Sequence, residues 1–330
     1  MNILKINKKE LREMAQRVYA GKEVEFNDVK GEDAIRNMIN EAVGGDFNYR
    51  SFQANQHAVF SIVETVVDAN IGVVLTNEFD NLAEVRNVAQ GEQAMFTVED
   101  GSLFRIARIG AGTNDLRRQK LTNRKFTVDT DWMGAKIYTE IEAFQTGKVD
   151  FAKWTQRITL SYANDLAQRI YNAIKVSYST LGATYGISGA YSEDALLDLI
   201  SHVEAKSGKR AVVYGTRKAL RKVSKGINLS NGHKDALNKI GYIDEIAGTP
   251  LFLLPQAHKQ GTDTFAIDDN TLIVIPEGDK IVKIVLEGDA IMVETADAGA
   301  RNDMQMEYAL QKKMGVGVQQ TAVYGMYTFS

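Results

Sequence analysis

Apolar residues spaced by three and four dominate one stretch of the chain. From Asp150 to Tyr178 they recur at Phe151, Trp154, Ile158, Tyr162, Leu166, Ile170 and Ile174, which puts them on one side of an α-helix. No Gly or Pro interrupts the run until Gly182. Asp150 is the predicted N-cap, its carboxylate suited to the positive end of the helix dipole. At 1.5 Å per residue such a helix spans roughly 40 Å. Lys153, Gln156, Arg157, Asn164, Gln168 and Arg169 fall on its other faces, where Asp165 and Arg169 stand four apart and can pair. A helix with one long apolar stripe needs a sheet or a second helix to back onto.

Elsewhere the pattern is shorter in range. Residues 8–20 read as a charged, weakly amphipathic helix stopped by Gly21, and 31–45 as a second short helix with Gly44 and Gly45 past its end. Residues 48–72 predict a mixture of helix and extended segments, and the whole first part looks too thin to close a core alone. Over 82–131 short β-type runs (MFTV, LFRIARI, KFTVDT) are separated by Gly, Asn and Asp. Around its tip the sequence gathers Arg117, Arg118, Lys120, Arg124 and Lys125. Two strands with such an end make a projecting hairpin, and an isolated ribbon is marginal in water without a supporting surface. Ser192 is a predicted cap for a helix turning Leu196, Leu197, Ile200 and Val203 inwards. RAVVYG reads as a buried strand, and Thr216 caps the basic helix RKALRKVSK. LFLLP and TLIVIP read as strands, 277–297 as a hairpin-like pair, and Met304, Met306, Tyr308 and Leu310 begin long closing strands.

Composition narrows the chemistry. The chain has 330 residues, a net charge of −3 and no Cys. Thiol catalysis, disulfides and Cys-ligated zinc are excluded, and no bulk charge draws it to nucleic acid. The start of the chain lacks the apolar core of a signal peptide, and no apolar run is read as approaching the ~20 residues of a membrane span, which predicts no membrane partner. His57, His202, His233 and His258 show no metal or nucleophile spacing, and the acid pairs Asp129/Asp131, Asp268/Asp269 and Glu193/Asp194 suit caps and turns. Gly110-Ala-Gly112 is a turn signal. Tyr214-Gly215-Thr216 joins a strand to a helix N-terminus, where anions bind, although one Gly and one Thr also make an ordinary capped helix. The residues predict no cofactor, no metal and no catalytic set, and so a structural protein before an enzyme.

The order of parts (polar arm, long ribbon, long helix, second helix, α/β unit, long closing strands) resembles the major capsid proteins of tailed bacteriophages, the Hong Kong 97-like fold. The local likenesses are RAVVYGTRKALRKVS, IAGTPLFLLP, LIVIPEGDKIVKIVLEGDAIMVE and VGVQQTAVYGMYTF. The resemblance implies an α+β chain divided into an N-terminal arm with short helices (1–81), an E-loop ribbon (82–131), a peripheral domain holding a spine helix (132–206), an axial α/β domain (207–297) and closing strands returning to both (298–330). It implies self-assembly into hexamers and pentamers of an icosahedral head around double-stranded DNA held non-specifically, assembled in a host cytoplasm. Arg117, Arg118, Lys120, Arg124 and Lys125 become candidate subunit contacts. Portal and decoration proteins are implied partners. With the arm starting near Met1, any scaffold is expected to be a separate protein. Some family members crosslink a ribbon Lys to a neighbouring Asn; Lys120 and Lys125 lie in that region, but no partner Asn or acid is matched. Two alternatives stay open: an encapsulin-type compartment shell, and an α/β nucleotide-binding protein or enzyme using the Gly215-Thr216 turn.

Overall fold

Alternating strands near the end of the chain form the frame on which the long helices pack. The computed structural model describes residues 8–19, 25–26, 29–30, 32–45, 49–79, 81–99, 104–111, 117–120, 123–140, 151–178, 181–225, 237–254, 256–259, 261–296, 305–319 and 323–329. In chain order the elements are α1 (Lys8–Tyr19), β1 (Glu25–Phe26), β2 (Val29–Lys30), α2 (Glu32–Val43), α3 (Tyr49–Phe79), β3 (Ala83–Val88), β4 (Met95–Glu99), β5 (Asn123–Thr127) and β6 (Asp131–Glu140). There follow α4 (Phe151–Tyr178), β7 (Gly186–Gly189), α5 (Glu193–Ser207), β8 (Ala211–Gly215), α6 (Arg217–Lys225), β9 (Glu245–Ile246), β10 (Thr249–Leu253), β11 (Thr271–Pro276), β12 (Val282–Ala296), β13 (Gln305–Val318) and β14 (Gly325–Phe329).

The first large sheet runs β3-β12-β13-β6. β12 is antiparallel to β13 and parallel to β3, and β6 closes the other edge antiparallel to β13. The predicted hairpin over 277–297 is therefore not present in its described part, 277–296. One strand runs through Glu287-Gly288-Asp289 by way of an irregularity, with the register shifting between Glu287 and Ile291 and Gly288 at φ 67°. A β-bulge absorbs the extra residues that read as a turn in sequence.

α3 is a larger departure from expectation. Where the pattern predicted mixed structure, 31 residues form one helix. It packs against α1, α2, α4 and β12, and Phe52, Val59, Val63, Val67, Ile71 and Leu75 are buried along it. A helix covered from several directions is apolar on several faces, so no single stripe shows at period 3.6. Its segment Arg50–Leu75 is long and apolar enough to cross a membrane, and burial against the rest of the protein accounts for that composition. Phe52, Phe60 and Tyr308 meet edge to face beneath it, with centroids 5.6–6.2 Å apart, a favoured aromatic geometry.

α4 has the predicted span. Ile158, Tyr162, Leu166, Ile170 and Ile174 are buried, and Lys153, Arg157, Asn164 and Arg169 are exposed. Arg169 donates to Asp165 at 2.7 Å. Asp150, the predicted cap, lies outside the described residues. The Tyr162 hydroxyl lies 3.0 Å from the Leu310 carbonyl and 3.2 Å from that of Met133, tying the helix to β13 and β6. Burial pushes that phenol up to about 12. Further along, Ser177 accepts a 2.6 Å hydrogen bond from Tyr324, just before β14. The same helix thus covers one sheet with its middle and meets the second with its C-terminal end.

The second sheet runs β7-β14-β11-β8-β10-β9. Side-chain alternation gives it two buried faces. Val212, Tyr214, Ile273, Ile275 and Met326 join the core that includes α4, while Ala211, Val213, Leu272, Val274 and Tyr327 face a separate core under α5 and α6. Ser192 caps α5 by accepting from the Ala195 N–H, and Gly208 ends it in the left-handed region at φ 68°. The inward stripe of α5 is Leu196, Leu199, Ile200 and Val203, whereas Leu197 is only partly buried. The linear division at 206/207 and 297/298 cuts across these sheets: β7 and α5 belong with β8, and β12 belongs with β6.

Candidate assembly interface

The ribbon begins where the four-stranded sheet meets it. β4 pairs antiparallel with β5, Met95 opposite Thr127 through Glu99 opposite Asn123. At its base Ala94, Phe96, Val128 and Val285 form a small core. Two glycines in β13 make room for it. A Cβ on Gly315 would lie 2.2 Å from the Asp129 carbonyl oxygen, and one on Gly317 would lie 2.8 Å from the Phe126 ring, both too close for any other residue without displacement of the ribbon. Above Phe96 sit Arg86, 4.4 Å from the ring centroid, and Lys283 at 5.6 Å, a cation–π arrangement. The base is held firmly while the far part is solvent-facing.

Beyond β4 and β5 the two arms approach without a ladder. LFRIARI, read as a β-run, has no strand pairing over its described residues 104–109. The Gln119 side chain bridges the gap instead, accepting from the Arg105 N–H and donating to the Arg105 carbonyl, both at 2.8 Å. Phe104 is 56% exposed, Ile106 99% and Ile109 53%. Arg117, Arg118 and Lys120 are exposed beside them, and Lys125 is exposed on β5 opposite Thr97. Arg124 stands opposite Val98 in the same strand; its side chain lies outside the described part. The five sequence-picked cations are thus spread along the ribbon, and the exposed apolar residues of the facing arm are the feature that charge counting missed. Trp132 and Tyr138 on the edge strand β6 are also exposed, at 50% and 64%. β6, α4 and the residues His258, Lys259, Gly261 and Thr262 line an open cleft of about 700 Å³.

Beside the ribbon base runs a set of charged contacts that the sequence reading did not find. Lys312 reaches Asp68, and their side chains are only 4% and 8% exposed. Asp68 and Glu64, one turn apart on α3, accept the Ala290 and Met292 N–H groups at 2.9 and 2.6 Å, pinning the bulge in β12 to the helix. Burial raises Glu64 above the ordinary carboxylate value despite the Met292 N–H. Glu287 is held down at about 2 by Lys313, by the Thr130 hydroxyl and by the Gly91 N–H. Glu84, pushed up by burial, is brought below its usual value by Lys283 and Arg86. The available signal was charge at Glu287, Lys312 and Lys313 inside otherwise apolar strands.

The other candidates resolve simply. His57, His202 and His258 are exposed, His258 stacked on Phe265 at 5.2 Å, and His233 lies outside the described residues. No cluster of potential metal ligands occurs among the described residues. At the Gly215-Thr216 turn a Cβ on Gly215 would come within 2.6 Å of Leu272, and Thr216 is buried, its hydroxyl accepting the Ala219 N–H at 3.4 Å. The glycine serves helix-on-strand packing and the threonine caps the helix, the ordinary structural roles for these two residues.

Comparison with known proteins bears on the family and the fold. The profile of the family described as "SPbeta prophage-derived putative capsid protein YonB" matches residues 10–328. Among solved structures, the capsid of a native GTA particle aligns with a TM-score of 0.54 at 14% identity, covering 77% of this chain and 90% of the other. The mature capsid of bacteriophage PhiM1 gives 0.52 at 12%, covering 76% and 86%, and the capsid of cyanophage P-SCSP1u gives 0.50 at 15%, covering 76% and 88%. No curated protein matches significantly. At these identities the solved structures speak to the fold and the profile to the family: the chain belongs to the SPbeta prophage-derived capsid protein family and has the Hong Kong 97-like fold of phage capsids.

Proposed function

We propose that the protein is a shell subunit that self-assembles into hexamers and pentamers, closes an icosahedral head around double-stranded DNA and acts in the virion without catalysis. In this reading the β4–β5 ribbon is the E-loop and α4 is the spine helix. The four-stranded sheet with α3 forms the peripheral unit, and the six-stranded sheet with α5 and α6 the axial one. The observation that carries it is the ribbon itself, which is anchored at Phe96 and Val128 yet presents Phe104, Ile106 and Ile109 to solvent. Covering these side chains on a neighbour gains about 1.5–3 kcal/mol for Ile106 and roughly half that for each of the half-exposed Phe104 and Ile109, enough to draw subunits together when repeated around a ring. Arg117, Arg118, Lys120 and Lys125 then supply register and electrostatic attraction at its margin.

The test is a pair of variants. Deleting 110–122, and separately Ile106→Asp, should leave a subunit with native circular dichroism that no longer forms particles in the electron microscope. Normal assembly by both variants would remove the ribbon from the contact. Nucleic acid recovered from particles made in cells separates a DNA head from a compartment shell with protein cargo.

A further inference from the structure

We infer that Arg217/Arg221 on α6 and Asp194/Asp198 on α5 are the two halves of a head-to-tail contact between copies of this chain. The inference rests on the self-assembly reading above and names the surface through which the six-stranded units meet.

α5 and α6 lie on the same face of the sheet, over one core. The sequence of α6, RKALRKVSK, holds no acid. Two of its cations are engaged internally. Lys218 lies 3.6 Å from Asp269, and Lys222 donates to Asn270 at 2.7 Å and sits 5.1 Å from the Phe329 ring centroid. Arg217 and Arg221 are exposed and pair with nothing among the described residues. On α5, Glu204 accepts the Ala211 N–H at 2.9 Å. Asp194 and Asp198 are exposed and likewise have no partner among the described residues.

Each row holds two like charges four residues apart, a spacing of about 6 Å on a helix. Like charges so placed destabilise their own helix slightly, and an opposite row of the same spacing removes that cost for both. The two rows flank opposite edges of one layer. The row Asp194–Asp198 continues to His202 and Lys206, which reach Tyr185 beside the edge strand β7: the His202 and Tyr185 ring centroids are 6.4 Å apart, and the Lys206 ammonium is 4.8 Å from the Tyr185 centroid. Arg217 lies on the other flank, where a Cβ on Gly241 would stand 3.8 Å from its Cδ, on the approach to the opposite edge strand β9. Glu245 in β9, an acid on that side, is engaged by Arg210 at 3.6 Å. Complementary rows on opposite flanks join different copies, and a contact of that heterologous kind closes into a ring when the rotation per copy allows.

The experiment uses the full chain and charge reversal. R217E/R221E and D194K/D198K should each raise the concentration threshold for assembly, read by sedimentation velocity, about tenfold or more at low salt. The difference should shrink as salt is added. Combining all four substitutions should bring the threshold back to within about threefold of the wild type. If a reversal fails to fold by circular dichroism, R217Q/R221Q and D194N/D198N replace it, with an expected rise of about threefold. Assembly indifferent to both replacements, or a combined variant no better than either, overturns the contact and leaves the capsid reading standing. A wild-type chain that never assembles overturns that reading and this contact together.

Discussion

Breaking the buried pair between Lys312 and Asp68 should loosen the bulge in β12. Lys312→Met fits the same space but leaves the Asp68 carboxylate, among the described residues, with the Ala290 N–H at 2.9 Å, in a site where the two side chains are 4% and 8% exposed. Removing one partner of a buried pair costs about 3–5 kcal/mol. Asp68→Asn should cost about as much, since it strands the Lys312 ammonium with the Gly288 carbonyl at 3.3 Å. The double variant K312M/D68N is the informative one. It buries no charge, and the Asn side-chain oxygen can still accept from Ala290, so its cost should be at most about 2 kcal/mol. The assay is hydrogen exchange at the Ala290 and Met292 amides, both held by α3 carboxylates. A loss of ~3 kcal/mol should speed exchange about a hundredfold in either single variant, and the double variant should recover most of it. Unchanged protection in K312M, or a double variant as fast as the singles, would refute the claim that this pair holds the bulge.

Three further outcomes follow from the same geometry. Glu287 is depressed in the folded protein from the ordinary 4.5 to about 2, so its contribution is whole above about pH 4.5 and is lost as the pH falls towards 2; unfolding free energy measured across that window should drop in the wild type and less steeply in E287Q. Glu64 has the opposite sign: burial raises it, its ionised form is the costly one, and E64Q, which keeps an acceptor for the Met292 N–H, should be at least as stable as wild type at pH 7 by urea titration, a clear loss there counting against the argument. Gly315→Ala, with its Cβ 2.2 Å from a backbone oxygen, should cost about 1–3 kcal/mol and release the ribbon base, whereas Gly72→Ala on α3, where nothing lies within 4 Å, should gain about 0.5–1 kcal/mol; thermal melts of the two variants should move in opposite directions.

How far the sequence could be read depended on how many neighbours each element has. α4 was legible because one face packs and the other meets solvent, so its stripe survives as a period of three and four. The β8–turn–α6 unit was legible for a different reason: β8, with all five residues buried, reads as a short unbroken apolar run, and Thr216 caps the helix that follows. α3 was not legible, because burial from several directions erases periodicity. The bulge at Gly288 looked like a turn because a Gly beside an Asp signals one, and only the α3 carboxylates reveal that the strand continues through it. Gly315 and Gly317 read as part of an alternating strand; their need for small size comes from Asp129 and Phe126, nearly two hundred residues earlier in the chain. At the ribbon the cations drew attention, while Phe104, Ile106 and Ile109 passed as strand residues until the structure left them without a ladder or a cover.

The central claim is that this ribbon is completed by another copy of the chain. The most direct measurement is cryo-electron microscopy of particles formed by the purified full chain, with residues 104–111 traced. The account predicts closed or tubular assemblies of hexamers in which Phe104, Ile106 and Ile109 lie against a neighbouring subunit. A monomer that persists at every concentration and salt, or a shell in which those three side chains face solvent, would contradict it.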